Sequence, residues 1–521
     1  MTISILFETE AQENAPRSRT RPAYFDDLNI SPMEEAVLAK EPSLQDVFRT
    51  PLREASCIRF RQDVMRDLDD AALCKRLGEE ADAVRRIHRA LCAAQDNLDG
   101  GDETPWVWRS RVLFLACDYR EAVEALLQER PHVHAPGLLR FFDALETYRS
   151  QPAFETLCRE AQHLKEAFSA LRLSIQMKAG KIRMRPDEGE EPVSCEMEAL
   201  FARFAQDEAE TLRHPEPTGG TMRHIDEAVL ELVRHGNKPL FETLKGFAEE
   251  HGDFVEPKLL QFCREIQFYL GWQSYTAPLR ALGLPFCFPD ISETKGPRCE
   301  ENFDIVLAQN LRRAGKCVVT NGFELNDPER VLVVTGPNQG GKTTFARAFG
   351  QFFHLAAIGC SVPGRCASIR PFDAIYTHFN REENTAAHSG QLQDDLLRLR
   401  AITQKMTADS ILIINEIFAS TTLLDALALG RKMMEEITAK GCTAVCVTFL
   451  DELAAFDAHT VSMMSTVDED DPSVRTFKLV RRAADGLAYA DYIAKKYDVT
   501  YEALTRRLGD ERLSDGGSGE L

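Results

Sequence analysis

An α/β domain of the phosphate-loop type in the second half, preceded by a mostly helical half, is the fold that the 521-residue sequence predicts. Three observations predict it. Short apolar, partly β-branched runs at Val331 to Thr335, Ile411 to Ile414 and Thr443 to Thr448 alternate with helical stretches, as the buried central strands of a mostly parallel sheet do. A glycine-rich loop, Gly336-Pro337-Asn338-Gln339-Gly340-Gly341-Lys342-Thr343, stands directly after the first run and before the apolar helical run Phe345 to Ala357. Upstream of about residue 300, apolar residues recur at helical rather than strand spacing.

Taken in order, residues 1–25 are polar and mixed, with Arg17, Arg19 and Arg21 among Ser, Thr and Pro, and are expected to lack fixed structure. The apolar start Met1 to Phe7 is too short and has no basic lead, so no secretory signal is expected and a cytoplasmic protein is the simplest reading. Residues 26–300 form the helical region, cut by turn-rich stretches at Asp99 to Asp102, Pro131 to Gly137 and Pro215 to Gly220. Within it Ile225, Val229, Leu232 and Val233 keep helical spacing, followed by Leu240, Leu244 and Phe247, then by Leu259, Phe262, Ile266 and Leu270. One segment departs from this period. Residues 175–185 alternate apolar and polar around Ala179-Gly180 and predict a hairpin. Ile175, Met177, Ile182 and Met184 would share one face, and Lys178, Arg183 and Arg185 the other. A solvated sheet face is the plainer account of those cations; contact with a DNA backbone is the sharper one. Residues 301–507 make the α/β domain, and 508–521, with Gly516-Gly517-Ser518-Gly519, a flexible tail.

Composition narrows the function classes. The net charge is −20, from 62 basic and 82 acidic residues. Broad, non-specific polyanion binding normally requires a basic excess, so any DNA contact must be local. No apolar stretch approaches the roughly 18 residues of a membrane span, and no membrane partner is expected. The 14 cysteines contain no Cys-x-x-Cys pair and read as buried or inert thiols.

The loop carries the chemistry. Glycines let backbone N–H groups curl around phosphate, Lys342 reaches the β and γ oxygens, and the Thr343 hydroxyl holds Mg²⁺, with Thr344 beside it. ATP and Mg²⁺ are therefore the expected ligands. Further on, Ile411 to Asn415 leads into Glu416, a carboxylate placed to polarise an attacking water. Asn415 stands where an Asp is usual. Its amide can offer Mg²⁺ an oxygen but no negative charge, so metal binding and turnover should weaken.

Several ordered motifs around this loop resemble the ATPase domain of the MutS DNA mismatch repair family, an ABC-type domain. They are Ile358 to Gly364, Asp373 to Thr377, Asn415 to Asp425, Val447 to Leu453, Phe477 to Val480 and Ala490 to Ala494, covering about residues 300 to 507. Ile58 to Val64 is similar to the start of that family's helical core. The resemblance implies two ATPase domains paired head to tail, each completing the other's site, with long lever helices leading to a DNA clamp. It further implies that Ser389, in Ser389-Gly390-Gln391, reaches the partner's γ-phosphate, and that Asp425, after Ser420-Thr421-Thr422, is an acid at the dimer seam.

Three residues depart from the family pattern. Asn415 replaces an acid, Phe449 a histidine that senses γ-phosphate, and Ala419 an arginine. Slow hydrolysis with retained ATP binding is the expectation. Mismatch readers of the family carry a Phe-x-Glu wedge in an extra amino-terminal domain, whereas Phe254-Val255-Glu256 lies deep in the helical half and reads as a chance match. Direct mismatch recognition is not expected. The leading reading is a homodimeric, slowly hydrolysing ATPase acting on duplex or branched DNA in repair or recombination. The competing reading is a nucleotide-gated protein-interaction scaffold with negligible hydrolysis and no DNA binding. An unrelated phosphate-loop kinase is disfavoured, because no acceptor-binding insert is apparent.

Overall fold

The computed structural model describes residues 3–17, 19–99, 105–178, 181–186, 233–292, 294–380, 391–416, 418, 421–468 and 474–484, with 500 and 505. The chain divides into two compact units, one of residues 1–78, 132–141 and 264–521, the other of 79–131 and 142–263. This differs from the expected single boundary near residue 300. Helical periodicity reveals that a helix has a buried face, not which part of the chain will cover it.

The larger unit is built on six strands: β1 Val331–Thr335, β2 Ile375–Phe379, β3 Ile411–Asn415, β4 Thr443–Val447, β5 Thr460–Val467 and β6 Arg475–Arg481. Their order is β2-β3-β4-β1-β5-β6. Neighbours are parallel except β6, which runs antiparallel to β5 at the edge. Four helices of this half matter to the site: α1 Ile305–Arg313, α2 Lys342–Ala357, α3 Gln391–Lys405 and α4 Leu423–Lys440. Every residue of β1 and β3 is buried, which accounts for their unbroken apolar runs.

On one sheet face Val331, Val333, Leu412, Ile414, Ala444 and Cys446 pack with Leu399 of α3 and Met433, Met434 and Ile437 of α4. Helix α2 packs against β3 and β4. Thirteen of its 16 residues are buried, so its sequence is apolar nearly all round rather than along one stripe. Its phenylalanines form an aromatic run with Phe323, the Phe323–Phe349 and Phe349–Phe353 ring centroids each lying 4.9 Å apart.

The amino-terminal residues, expected to lack fixed structure, are in part packed into this unit. Ser4, Ile5, Leu6 and Phe7 are buried. Glu265 accepts hydrogen bonds from Ser4 Oγ and Ile5 N at 2.8 Å each. Tyr269 OH donates to Ile5 O at 2.6 Å, and Arg61 Nε to Leu6 O at 2.9 Å. The physical cause is the run Ile3 to Phe7: too short to span a membrane, it is apolar enough to be driven into a core. Further along, Tyr24–Asp27 forms a short helix whose Tyr24 OH bonds to His354 Nδ1 of α2 at 3.2 Å. Gly350 of α2 admits this segment, since a Cβ there would come within 2.5 Å of Leu28.

In the smaller unit, helices Pro105–Gln128, Pro152–Ser169 and Lys238–Glu250 pack together. The last buries Phe241, Leu244, Phe247 and Ala248, so the expected stripe holds except that Phe241 takes the place of Leu240. Phe254 lies against Tyr119 with ring centroids 5.3 Å apart, Val255 is buried and Glu256 N donates to Tyr119 OH, so this triplet packs within the helical unit. The hairpin pairs Leu173–Lys178 with Lys181–Pro186 antiparallel, with Ile175 opposite Met184 and Met177 opposite Ile182. The expected helix from Ile225 to Leu232 and the tail 508–521 lie outside the described residues.

Candidate functional site

The glycine-rich loop leaves the carboxyl end of β1, the strand flanked by β4 and β5, and turns into the amino terminus of α2. That turn requires glycine. Gly336 and Gly341 sit at φ 114° and 91°, in backbone space closed to most side chains. Crowding adds to the demand: a Cβ on Gly340 would lie 2.3 Å from Ser465 Oγ of β5. Ser465 Oγ donates to Gly340 O at 2.6 Å, so β5 braces the loop from behind. Arg475 Nε donates to Asn338 O at 3.2 Å from the edge strand. Gln339 also takes a left-handed conformation, at φ 59°.

Lys342, the first residue of α2, curls back into the loop. Its Nζ donates to Gly336 O at 2.7 Å and to Pro337 O at 2.9 Å. The side chain is almost wholly buried, and burial pulls its pKa down to about 8, with the Glu416 carboxylate pulling the other way. The Phe449 ring, just beyond β4, lies over the ammonium with its centroid 4.4 Å from Nζ. Thr343 Oγ1 donates to Asn415 Oδ1 at 3.0 Å, joining the loop to the end of β3. Glu416 follows at φ 59° with its N–H bonded to Val447 O at 3.0 Å.

A cleft of about 520 Å³ opens on this loop. One side is lined by Asn338 to Thr344 and Glu416. The opposite side is more apolar, with Leu307 and Leu311 of α1, Val318, Val319 and Phe477. Polar phosphate-sized surface and an apolar wall thus face one space, which suits a ligand with an anionic tail and a flat aromatic head.

The structure brings together most of the sequence-predicted residues. Gly340, Gly341, Lys342, Thr343, Thr344, Asn338, Gln339 and Glu416 line the cleft, Gly336 and Pro337 hold Lys342, and Asn415 touches Thr343. Asp425 is not among the cleft residues. It sits in the first turn of α4, where Thr422 Oγ1 caps its N–H at 3.3 Å and donates to its carboxylate at 2.8 Å. Ser389 and Ala419 lie outside the described residues.

Sequence reading missed the brace at Ser465 and the apolar wall. A signal existed for the wall: Leu307 and Leu311 stand four apart on α1, whose other face is the buried one, Ile305, Val306, Ala308 and Gln309. Ser465 carried none, because β5 alternation marks which face a residue takes and not what it touches.

A triphosphate nucleotide with Mg²⁺ fits these residues. The glycines leave the loop backbone free to approach phosphate closely, and Lys342 is the cation within it. Thr343, Asn415 and Glu416 offer hard oxygen donors of the kind Mg²⁺ prefers. Fold and loop together define an α/β domain of the phosphate-loop class. Residues 332–502 match the family model of MutS domain V. The DNA mismatch repair protein MutS 2 of Halobacterium salinarum is 30% identical over 218 residues, covering 40% of this chain and 25% of that protein. The DNA mismatch repair protein MutS of Thermotoga maritima is 26% identical over 306 residues, 56% of this chain and 37% of that one. The endonuclease MutS2 of Gemmatimonas aurantiaca is 29% identical over 209 residues, 40% and 25% of the two chains. The chain spans about a quarter to just over a third of the length of these relatives. The likeness to the MutS family thus lies in its domain V, residues 332–502 of this chain. Among the described residues, no helix is long and apolar enough to cross a membrane.

Proposed function

We propose that this chain binds ATP with Mg²⁺ at the Gly336–Thr343 loop, hydrolyses it slowly and uses the nucleotide state to act on DNA in repair or recombination. The observation that supports this best is the union, in one cleft, of a glycine cradle around Lys342 with an apolar wall at Phe477, Val318 and Val319. In this reading the loop N–H groups and Lys342 hold the β- and γ-phosphates, and the purine lies against the apolar wall. Thr343 and Asn415 hold the Mg²⁺, which when bound neutralises charge on the phosphate oxygens. Glu416 orients the attacking water.

Slow turnover follows from two residues. Asn415 brings a neutral oxygen to the metal, and Phe449 offers no hydrogen bond to a γ-phosphate. Ser389 and Asp425 are assigned to a partner's site across a homodimer of ATPase domains. Asp425 is compatible with that place, since it is exposed at the start of α4 beside Leu423 and Leu424, which are 69% and 80% exposed. The repair setting rests on the names of the relatives, and the cytoplasm is the compartment that goes with that reading.

The same two residues favour a second reading, a nucleotide-gated scaffold that docks a protein and does not bind DNA. Equilibrium binding of ATP, followed by titration with duplex, mismatched and branched DNA at low salt, separates the two. ATP binding with DNA affinity that changes between the ATP and ADP states supports the first. ATP binding with no DNA affinity in any nucleotide state leaves the scaffold.

A further inference from the structure

Phe449 is a large aromatic side chain left 49% exposed, so burial in the core does not account for it. Its ring face lies over the ammonium of Lys342, with the centroid 4.4 Å from Nζ. The same ammonium is bonded to Gly336 O and Pro337 O. Lys342 is thus satisfied on three sides by groups of the protein itself, before any phosphate arrives.

The segment that carries Phe449 is well anchored. Thr448 N donates to Val334 O of β1 at 3.1 Å, and Leu450 N to Thr448 Oγ1 at 3.0 Å. Leu450 is buried and leads into the short 3₁₀ turn Asp451–Ala455. The ring is therefore held over the ammonium by its backbone on both sides. A cation over an aromatic face within about 6 Å is attracted by the ring quadrupole, and more strongly once water is excluded.

We propose that Phe449 is a positioning residue that holds Lys342 in a retracted, self-bonded state, so that nucleotide phosphates bind only by drawing the ammonium out from under the ring. This rests on the reading of the loop as an ATP site. A ligand must then offset an attraction present only in the free state, which lowers its apparent affinity. The effect is selective. Lys342 serves the β- and γ-phosphates, so ATP and ADP meet the competition and AMP, which ends at the α-phosphate, does not.

Calorimetric titration of ATP, ADP and AMP into the full chain and its Phe449 variants tests this. Phe449→Ala is expected to tighten ATP and ADP roughly three- to tenfold, the range a partly desolvated cation–π pair supports, and to leave AMP unchanged. Phe449→Leu, which keeps an apolar side chain but no ring, should behave like Phe449→Ala. Phe449→Trp, which keeps the ring face, should not tighten ATP. Unchanged or weaker ATP binding in Phe449→Ala, or equal tightening of ATP and AMP, overturns the inference while leaving the site's identity intact. Absence of ATP binding in the wild-type chain and in every variant overturns the reading of the site itself.

Discussion

The hydrogen bond between Thr343 Oγ1 and Asn415 Oδ1 puts a neutral amide where a carboxylate would add charge to a metal site. Asp has the same shape and keeps the acceptor oxygen, so Asn415→Asp alters charge with little change in packing. ATP turnover in Mg²⁺ should rise by about tenfold, equivalent to ~1.4 kcal/mol of barrier. A rate that stays level or drops would remove Asn415 as the cause of slow hydrolysis. A second residue, His354 of α2, answers to pH instead. It is fully buried against the rings of Phe25 and Phe48, and burial lowers its pKa from 6.5 to about 3. Between those values the unfolded chain binds more protons than the folded one, so stability is intact above pH 6.5 and declines as pH falls below it. The decline from this one group approaches ~1.4 kcal/mol per pH unit. Urea midpoints measured from about pH 7 to about pH 5 should therefore fall more steeply for the wild type than for His354→Leu, and parallel slopes would show that His354 is not the group responsible.

Elements position the loop more than its own residues do. The brace from β5 predicts a coupled pair, because Gly340 and Ser465 touch. Gly340→Ala forces a Cβ against Ser465 Oγ and should cost about 1–3 kcal/mol in stability or nucleotide affinity. Ser465→Gly removes both crowding atoms of that side chain, so the double variant should recover part of the loss, with Pro337 O at 3.0 Å still tight. Strictly additive losses in this cycle would mean that the clash is relieved elsewhere. Such partnerships explain what the sequence could and could not disclose. β1, β3 and β4 were legible within a residue because parallel strands buried on both faces must be continuously apolar. The loop was legible because its chemistry needs fixed residue types at fixed spacing. The brace, the ring over Lys342 and the burial of Ser4 to Phe7 were not, since each joins segments more than 100 residues apart. A short apolar run at a polar terminus carries no sign of the groove that will take it.

For the molecule as a whole, charge poses the sharpest question about DNA. A chain of net charge −20 repels a polyanion on average, so binding must rest on a local cationic surface. The hairpin supplies a candidate. Its register sets Ser174 opposite Arg185, Gln176 opposite Arg183 and Lys178 opposite Lys181. Positions opposite one another in an antiparallel pair share a face, so one face of this ribbon holds four cationic positions and no acidic one. The other takes Ile175, Met177, Ile182 and Met184. If the cationic positions neutralise phosphates, the affinity depends steeply on salt, because each neutralised phosphate releases condensed counterions. Charge reversal at Lys181→Glu, Arg183→Glu and Arg185→Glu should then weaken binding to every DNA sequence alike. It should also flatten the plot of log affinity against log salt by about one unit of slope for each phosphate that is no longer neutralised. ATP affinity should not change, because the hairpin belongs to the smaller unit and the loop to the larger. If DNA binding and its salt slope survive all three substitutions, the hairpin is a solvated surface and the DNA-binding face lies elsewhere. If the wild-type chain binds no DNA at low salt, the acidic surface has won and a protein is the partner to seek.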